Sequence, residues 1–92
     1  MIKNFTHKGL EDFFRTGNKA GILPNHENRL RLILGRLNVA KEPKDMNLPG
    51  LRLHKLSHNY KGFLAVQVSG NWRVIFKFRN NDAIDVGYLD YH

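Results

Sequence analysis

The sequence predicts an α+β domain of 92 residues, because apolar residues are spaced differently in its two halves. In the first half they recur every three or four residues, as on the buried face of an amphipathic helix. In the second half they alternate with polar residues, as in strands with one buried face. We therefore expect two N-terminal helices packed on one face of a small, mostly antiparallel sheet, in a single domain spanning residues 1–92.

Two helices are expected before the sheet. A short edge strand at residues 1–5 precedes the first helix, for which Thr6 is a suitable N-cap and Gly17 a suitable end. Asn25 is placed to cap the second helix. The apolar face of that helix is formed by Leu30, Ile33, Leu34 and Leu37. The segment 41–50 contains prolines and a glycine and is typical of a connection.

Four strands are expected in the second half of the chain. The strand segments are residues 51–56, 62–68, 72–79 and 83–91. Tight hairpin turns suit the stretches Ser69–Asn71 and Asn80–Asp82, which are rich in serine, glycine, asparagine and aspartate. The result is an antiparallel meander.

Alternation assigns the polar side chains of these strands to the sheet face that points away from the helices, here called the open face. In the third strand, the side chains expected to face the helices are those of Trp72, Val74, Phe76 and Phe78. Those expected on the open face are Arg73, Ile75, Lys77 and Arg79. In the first strand, the same rule places Leu51 and Leu53 in the core, and it places Arg52 and His54 on the open face. An imidazole and a guanidinium should therefore face the same side.

The fourth strand fits alternation less well. Its inward set should be Ile84, Val86 and Tyr88, and strict alternation would then turn Asp90 and His92 inward too. A bulge at Gly87, or a twist at the end of the strand, would return them to the open face. The sequence leaves both arrangements open.

The charge of the chain indicates an anionic partner. Fifteen Lys and Arg against eight Asp and Glu give a net charge of +7, which favours nucleic acid or an acidic protein. No Asp or Glu occurs between Met46 and Asn81. The basic residues in that stretch that we expect to bind substrate, besides Arg73, are Arg52, Lys55, Lys61, Lys77 and Arg79. Without cysteines, a signal peptide or a membrane-spanning stretch, the chain is expected to be cytoplasmic and to have no membrane partner.

The open face carries groups suited to cleaving RNA without a metal. Such cleavage needs a base for the 2′-hydroxyl, an acid for the departing 5′-oxygen and a cation for the phosphate between them. His54 and His92 suit the acid and base roles, and the fork of Arg73 matches two phosphate oxygens. Asp90 is placed to orient His92, and Tyr91 to stack on a base.

Other interpretations compete with this one. Taken alone, the pattern favours a catalytic site only slightly over a passive RNA-binding surface. Three histidines, His7, His26 and His58, are interpreted as surface or structural groups. The role of His58 stays partly undecided because this residue lies in a basic loop. A metal site is the weakest alternative because its ligands would lack a recognised spacing, so no cofactor is expected. A DNA-binding module is disfavoured because no helix has a recognition pattern.

Four segments, in this order and spacing, resemble the HigB family of bacterial toxins within the RelE-like superfamily of ribosome-dependent mRNA endonucleases. They are "MIKNFTHKGLEDFF", "MNLPGLRLHKL", "VSGNWRVIFKF" and the closing "DYH". The resemblance covers nearly the whole chain. It implies a RelE-like fold and a toxin that enters the ribosomal A site, next to ribosomal RNA, and cuts the mRNA there to leave a 2′,3′-cyclic phosphate and a 5′-hydroxyl.

The resemblance also implies partners and site residues. A cognate helix-turn-helix antitoxin should silence the toxin, and operator DNA should be contacted only indirectly, through that antitoxin. The family's functional positions correspond to His54, Arg73, Asp90, Tyr91 and His92.

One departure from the family pattern is Ser57, where relatives commonly have a lysine that neutralises the phosphate. Lys55, Lys61 or a protonated His58 must then substitute, or the activity is weaker. This departure favours the runner-up hypothesis, a basic module that binds RNA or the ribosome and blocks translation without cutting.

Overall fold

The computed structural model describes residues 1–91 and has the predicted α+β architecture. His92, to which the sequence assigns a catalytic role, lies outside the described residues. The helices are α1 (Lys8–Thr16) and α2 (Glu27–Val39). The strands are β1 (His54–Lys55), β2 (Leu64–Ser69), β3 (Trp72–Arg79) and β4 (Asp82–Asp90). Short 3₁₀ turns lie at Pro24–His26, Pro43–Met46 and His58–Tyr60. The strands form one antiparallel sheet in the order β1-β2-β3-β4.

The helices and one face of the sheet enclose the main core. The predicted inner face of α2 is fully buried there, as are Leu10 of α1 and Phe76 of β3. The inward set predicted for β3 is confirmed, because Trp72 and Phe78 also pack against this core. The open face is consequently free of the helices.

The N-caps of both helices differ from prediction by one residue. The first helix is capped by His7, whose Nδ1 accepts a hydrogen bond from the Leu10 N–H at 3.0 Å, and not by Thr6. Gly17 ends this helix in the left-handed conformation, as predicted (φ 81°). The predicted Asn25 cap is wrong, because Pro24 begins a 3₁₀ turn that includes residue 25 and leads into α2.

The first strand is much shorter than the predicted residues 51–56. Gly50 and Arg52 both have positive φ angles (84° and 53°), and a left-handed backbone cannot continue an extended strand. Leu51 is nevertheless buried as predicted, and its carbonyl accepts a hydrogen bond from the Gln67 N–H at 2.7 Å. The turn therefore holds Leu51 against the core and β2, although the sequence predicted a strand at this position.

A bulge interrupts β4 at Asp85 and not at Gly87. Asp85 has a φ angle of 52°, and β4 has one residue more than β3 between two successive pairs. The Asn4 amide fastens the bulge, since Nδ2 donates to the Asp85 carboxylate at 2.8 Å and Oδ1 accepts from the Asp85 N–H at 3.1 Å. The N-terminal segment thus runs beside β4, where it forms isolated parallel bridges in place of the predicted edge strand.

The bulge decides which side chains of β4 face the helices. Ile84 lies opposite Lys77 and so faces the open side, contrary to prediction. Val86 and Tyr88 lie in the main core as predicted. Beyond the bulge, Leu89 lies opposite Arg73, and Asp90 lies opposite Trp72.

Two helical glycines should respond oppositely to alanine. A Cβ on Gly9 would lie 2.7 Å from both Cα and O of Gly21, whereas a Cβ on Gly35 would have nothing within 4 Å. We expect Gly9→Ala to lower the free energy of unfolding by about 1–3 kcal/mol through overpacking. Gly35→Ala should raise it by about 0.5–1 kcal/mol through helix propensity. Urea unfolding would measure both, and equal responses would contradict the close approach at Gly9.

Buried His26 should make folding stability depend on pH. Its side chain is buried, with Nδ1 2.6 Å from the Tyr88 hydroxyl, and burial lowers its pKa below the ordinary 6.5. The unfolded chain therefore takes up a proton that the folded chain resists. Stability from this group is complete above about pH 6.5 and falls as the pH drops below it, by up to about 1.4 kcal/mol per unit.

The comparison of the native chain with His26→Asn tests this prediction. Between pH 6.5 and 5, we expect the free energy of unfolding to fall more steeply for the native chain than for His26→Asn. The same slope in both chains would mean that His26 is not the titrating group. Tyr88→Phe keeps the imidazole buried while removing its partner, and it should retain the steep slope.

Candidate active site

The open face is not purely polar, because it carries a small apolar group, here called the second cluster. Its buried members are Leu56, Ala65 and Ile75. Packed against them are Tyr60, Phe63, Leu89 and Tyr91. Strand alternation does not predict this cluster, although the aromatic residues of "NYKGF" in the basic loop contribute to it.

Strand register places His54 and Arg73 on the same side of the sheet. His54 lies opposite Ala65, which lies opposite Ile75, and Arg73 lies opposite Gln67. Cross-strand partners share a face, so both of these predicted site residues are on the side of the second cluster. Strand β2 separates them and Arg73 is two residues along β3 from the position level with His54, so their Cα atoms lie roughly 12 Å apart.

The His54 imidazole is held in one orientation and one tautomer. Its Nδ1 lies 2.8 Å from the carbonyl oxygen of Arg52. Because a carbonyl only accepts, Nδ1 must carry the hydrogen, and in the neutral ring Nε2 is then the proton acceptor. The side chain is exposed, so Nε2 is available to a ligand on the open face.

The Arg73 guanidinium is anchored by the hairpin between β2 and β3. Its Nη1 donates to the carbonyl oxygens of Gly70 at 2.6 Å and Trp72 at 3.1 Å. Its Nε is buried and has no acceptor among residues 1–91. The group is therefore oriented by main-chain oxygens and not neutralised by a carboxylate in the described part of the chain.

The end of β4 forms a depression with the loop before β2. The Tyr91 N–H donates to the Asn71 carbonyl at 2.8 Å, and its ring meets the Tyr60 ring edge-on at 6.0 Å. We call the depression, of about 370 Å³, the terminal pocket; it is lined by Ser57, His58, Asn59, Tyr60, Leu89, Asp90 and Tyr91. Asp90 and Tyr91 thus border one cavity, although the register pairs Asp90 with Trp72.

The predicted substrate-binding cations divide between two locations. Lys77 lies on the open face, with Nζ 4.5 Å from the centre of the Phe63 ring. Lys55 lies opposite Leu64, which packs against the main core, so it points away from His54. Lys55 and Lys61 line an apolar groove of about 650 Å³, which shares Ser57 with the terminal pocket. Arg52, two residues before β1, and Arg79, at the end of β3, are exposed.

Carboxylates neutralise the two halves of the molecule unequally. Every ion pair found within residues 1–91 uses a cation from the first 44 residues. The basic residues between positions 52 and 79 take part in none of them. The open face therefore presents positive charge to its surroundings.

Residues 1–91 contain neither a cluster of metal ligands nor a helix that could span a membrane. No three His, Asp or Glu side chains in that range come close enough together to hold a metal ion. Neither α1 nor α2 is long and apolar enough to cross a bilayer.

Comparison with known proteins places the chain in a family. Residues 3–92 match the model of the HigB-like toxins, described as the RelE-like toxin of type II toxin-antitoxin system HigB. The chain is 36% identical to "Endoribonuclease HigB" of Proteus vulgaris over 92 residues, covering 100% of both proteins. It is 32% identical over 94 residues to "Toxin HigB-1" of Vibrio cholerae serotype O1, covering 100% of this chain and 98% of that protein. The chain therefore belongs to the HigB-like toxins of type II toxin–antitoxin systems.

Proposed function

We propose that this toxin is an endoribonuclease that cuts mRNA in the ribosomal A site by metal-independent general acid–base catalysis. The observation that carries the proposal is a proton-accepting Nε2 on His54, facing the same side as the anchored guanidinium of Arg73. The relative from Proteus vulgaris is named an endoribonuclease, and the cation-rich open face suits a polyanionic substrate.

The first step is removal of the 2′-hydroxyl proton by His54 Nε2. The freed 2′-oxygen forms a bond to the adjacent phosphorus, and the bond from that phosphorus to the 5′-oxygen breaks. The resulting imidazolium still donates from Nδ1 to the Arg52 carbonyl, so the ring keeps its orientation as it becomes charged. The products are a 2′,3′-cyclic phosphate and a 5′-hydroxyl.

The second proton transfer is assigned to His92 on the basis of the sequence. Its imidazolium gives a proton to the departing 5′-oxygen, and Asp90 orients it. Arg73 donates to the phosphate oxygens as negative charge accumulates on them, with Lys77 adding positive charge nearby. Tyr91 stacks on a base and holds the nucleotide in line.

Membership of a toxin–antitoxin family implies a cognate antitoxin as protein partner. We propose that this antitoxin carries a helix-turn-helix domain and that the toxin acts in the cytoplasm on the ribosome. The cations of the open face that form no ion pair within residues 1–91 are the groups that would contact mRNA and ribosomal RNA there.

A second candidate function is a module that binds RNA or the ribosome without cutting. It is favoured by Ser57 at the position where the family commonly has lysine, together with the orientation of Lys55 away from the open face. The distinction between the two functions depends on whether the phosphate receives enough stabilisation for the chemical step.

The deciding experiment is cleavage of a defined mRNA with and without programmed ribosomes. We would compare the native chain with Arg73→Ala, His92→Ala and the exposed-lysine control Lys8→Ala, and map both product ends. Ribosome-dependent cuts with cyclic phosphate ends, lost in the first two variants and kept in the control, are the expected result. Ribosome binding without any cut would establish the second candidate function instead.

A further inference from the structure

The terminal pocket contains an imidazole to which the mechanism above gives no role. His58 begins the 3₁₀ turn His58–Tyr60 and lines this pocket beside Asp90 and Tyr91. Within residues 1–91, it is the only basic residue that lines the pocket. Its side chain is exposed, and its backbone has a φ angle of 56°, a conformation that costs a non-glycine residue some stability.

The loop that carries His58 is fastened to the end of β4. Within the loop, the Lys61 N–H donates to the His58 carbonyl at 3.1 Å and the Tyr60 N–H to the Ser57 carbonyl at 3.2 Å. The Tyr60 ring packs edge-on against Tyr91 and also against Phe63, at 6.0 and 6.2 Å. The imidazole is therefore presented at a defined place relative to Tyr91.

The pocket has the chemistry that a single nucleotide requires. Its volume of about 370 Å³ is that of a small-ligand site. Tyr91 offers an aromatic surface for a base, and His58 offers a ring N–H donor for a phosphate. These two groups together would orient the nucleotide in one direction.

We propose that the terminal pocket binds the RNA nucleotide adjacent to the cleaved bond and that His58 donates a hydrogen bond to its phosphate. The inference rests on the proposed function. Two other cations near this loop are placed differently, because Lys55 points to the opposite face of the sheet and Lys77 lies over Phe63. Ser57, which also lines the pocket, brings no charge.

The test removes the imidazole without straining the backbone. His58→Gly suits a positive φ, so its melting temperature should equal or exceed that of the native chain. Its affinity for a short single-stranded RNA with 2′-O-methyl riboses, which cannot be cut, should fall by about tenfold. His58→Lys restores a phosphate donor and should recover most of the loss, and Lys8→Ala should bind as the native chain does.

Failure of this inference can be told apart from failure of the proposed function. Equal RNA affinity of the native chain and His58→Gly would overturn the role of His58, whatever the ribosome assay shows. Absence of ribosome-dependent cleavage by the native chain would overturn the nuclease, while a weaker RNA affinity of His58→Gly would still support the pocket. Recovery by His58→Lys separates phosphate binding from a purely structural effect of the side chain.

Discussion

Replacement of His54 by alanine is expected to slow mRNA cleavage on programmed ribosomes by about 10²–10⁴-fold, the usual contribution of one general acid or base. The expectation follows from the hydrogen bond between Nδ1 and the Arg52 carbonyl, which leaves Nε2 as the proton acceptor. Single-turnover cleavage with saturating toxin would measure the effect on the chemical step. His54→Ala should still bind the programmed ribosome, because the role that we propose for His54 is proton transfer and not attraction by charge.

Folding controls make the His54 result interpretable. His54 is exposed in a two-residue edge strand, so its replacement should leave the melting temperature close to the native value. Cleavage at the native rate by a folded His54→Ala would show that another group acts as the base. A loss of ribosome binding as large as the loss of cleavage would instead indicate that His54 serves in binding.

The third strand could be predicted at its correct bounds because its sequence admits a single interpretation. Four apolar residues occupy alternate positions of Trp72–Arg79, and a turn follows directly. That turn is built on Asn80 and Asn81, which both have positive φ angles, as asparagine tolerates in a tight hairpin. Local preference and burial agree here, and no distant contact is needed to choose the structure.

The first and fourth strands could not be predicted fully because distant contacts decide them. The segment around Arg52 alternates correctly, yet Gly50 and Arg52 have positive φ angles, and the Gln67 N–H holds the Leu51 carbonyl outside a regular strand. The bulge at Asp85 depends on Asn4, which is 81 residues away in sequence. Alternation counted along β4 alone therefore placed Ile84 on the wrong face.

The sequence predicts the strand residues of the candidate site but not the contribution of its loop residues. Alternation put His54 and Arg73 on one face, and the register agrees. The same rule, applied to the charge pattern, would have separated Lys55 from His54, because neighbouring strand residues point to opposite faces. The terminal pocket depends on a 3₁₀ turn packed on Tyr91 through Tyr60, and a short basic loop carries no periodicity that reveals such a contact.

Replacement of Arg73 by alanine is expected to lower the cleavage rate by about 10²–10³-fold, the effect of losing one preorganised donor to a developing anion. The melting temperature should change little, because the Gly70 carbonyl keeps its hydrogen bond from the Gln67 side chain at 3.0 Å. Loss of Arg73 also removes the buried Nε that has no acceptor among residues 1–91. A large fall in the melting temperature would mean that Arg73 is chiefly structural.

Arg73→Lys separates charge from geometry. Lysine keeps the positive charge but has no planar fork, so it cannot both donate to the hairpin carbonyls and present donors to two phosphate oxygens. We expect Arg73→Lys to bind programmed ribosomes as the native chain does and to cleave more slowly, by about tenfold or more. Native-like cleavage by Arg73→Lys would show that the site needs only a positive charge there. In that case the anchoring of Arg73 by Gly70 and Trp72 would serve the hairpin and not the reaction.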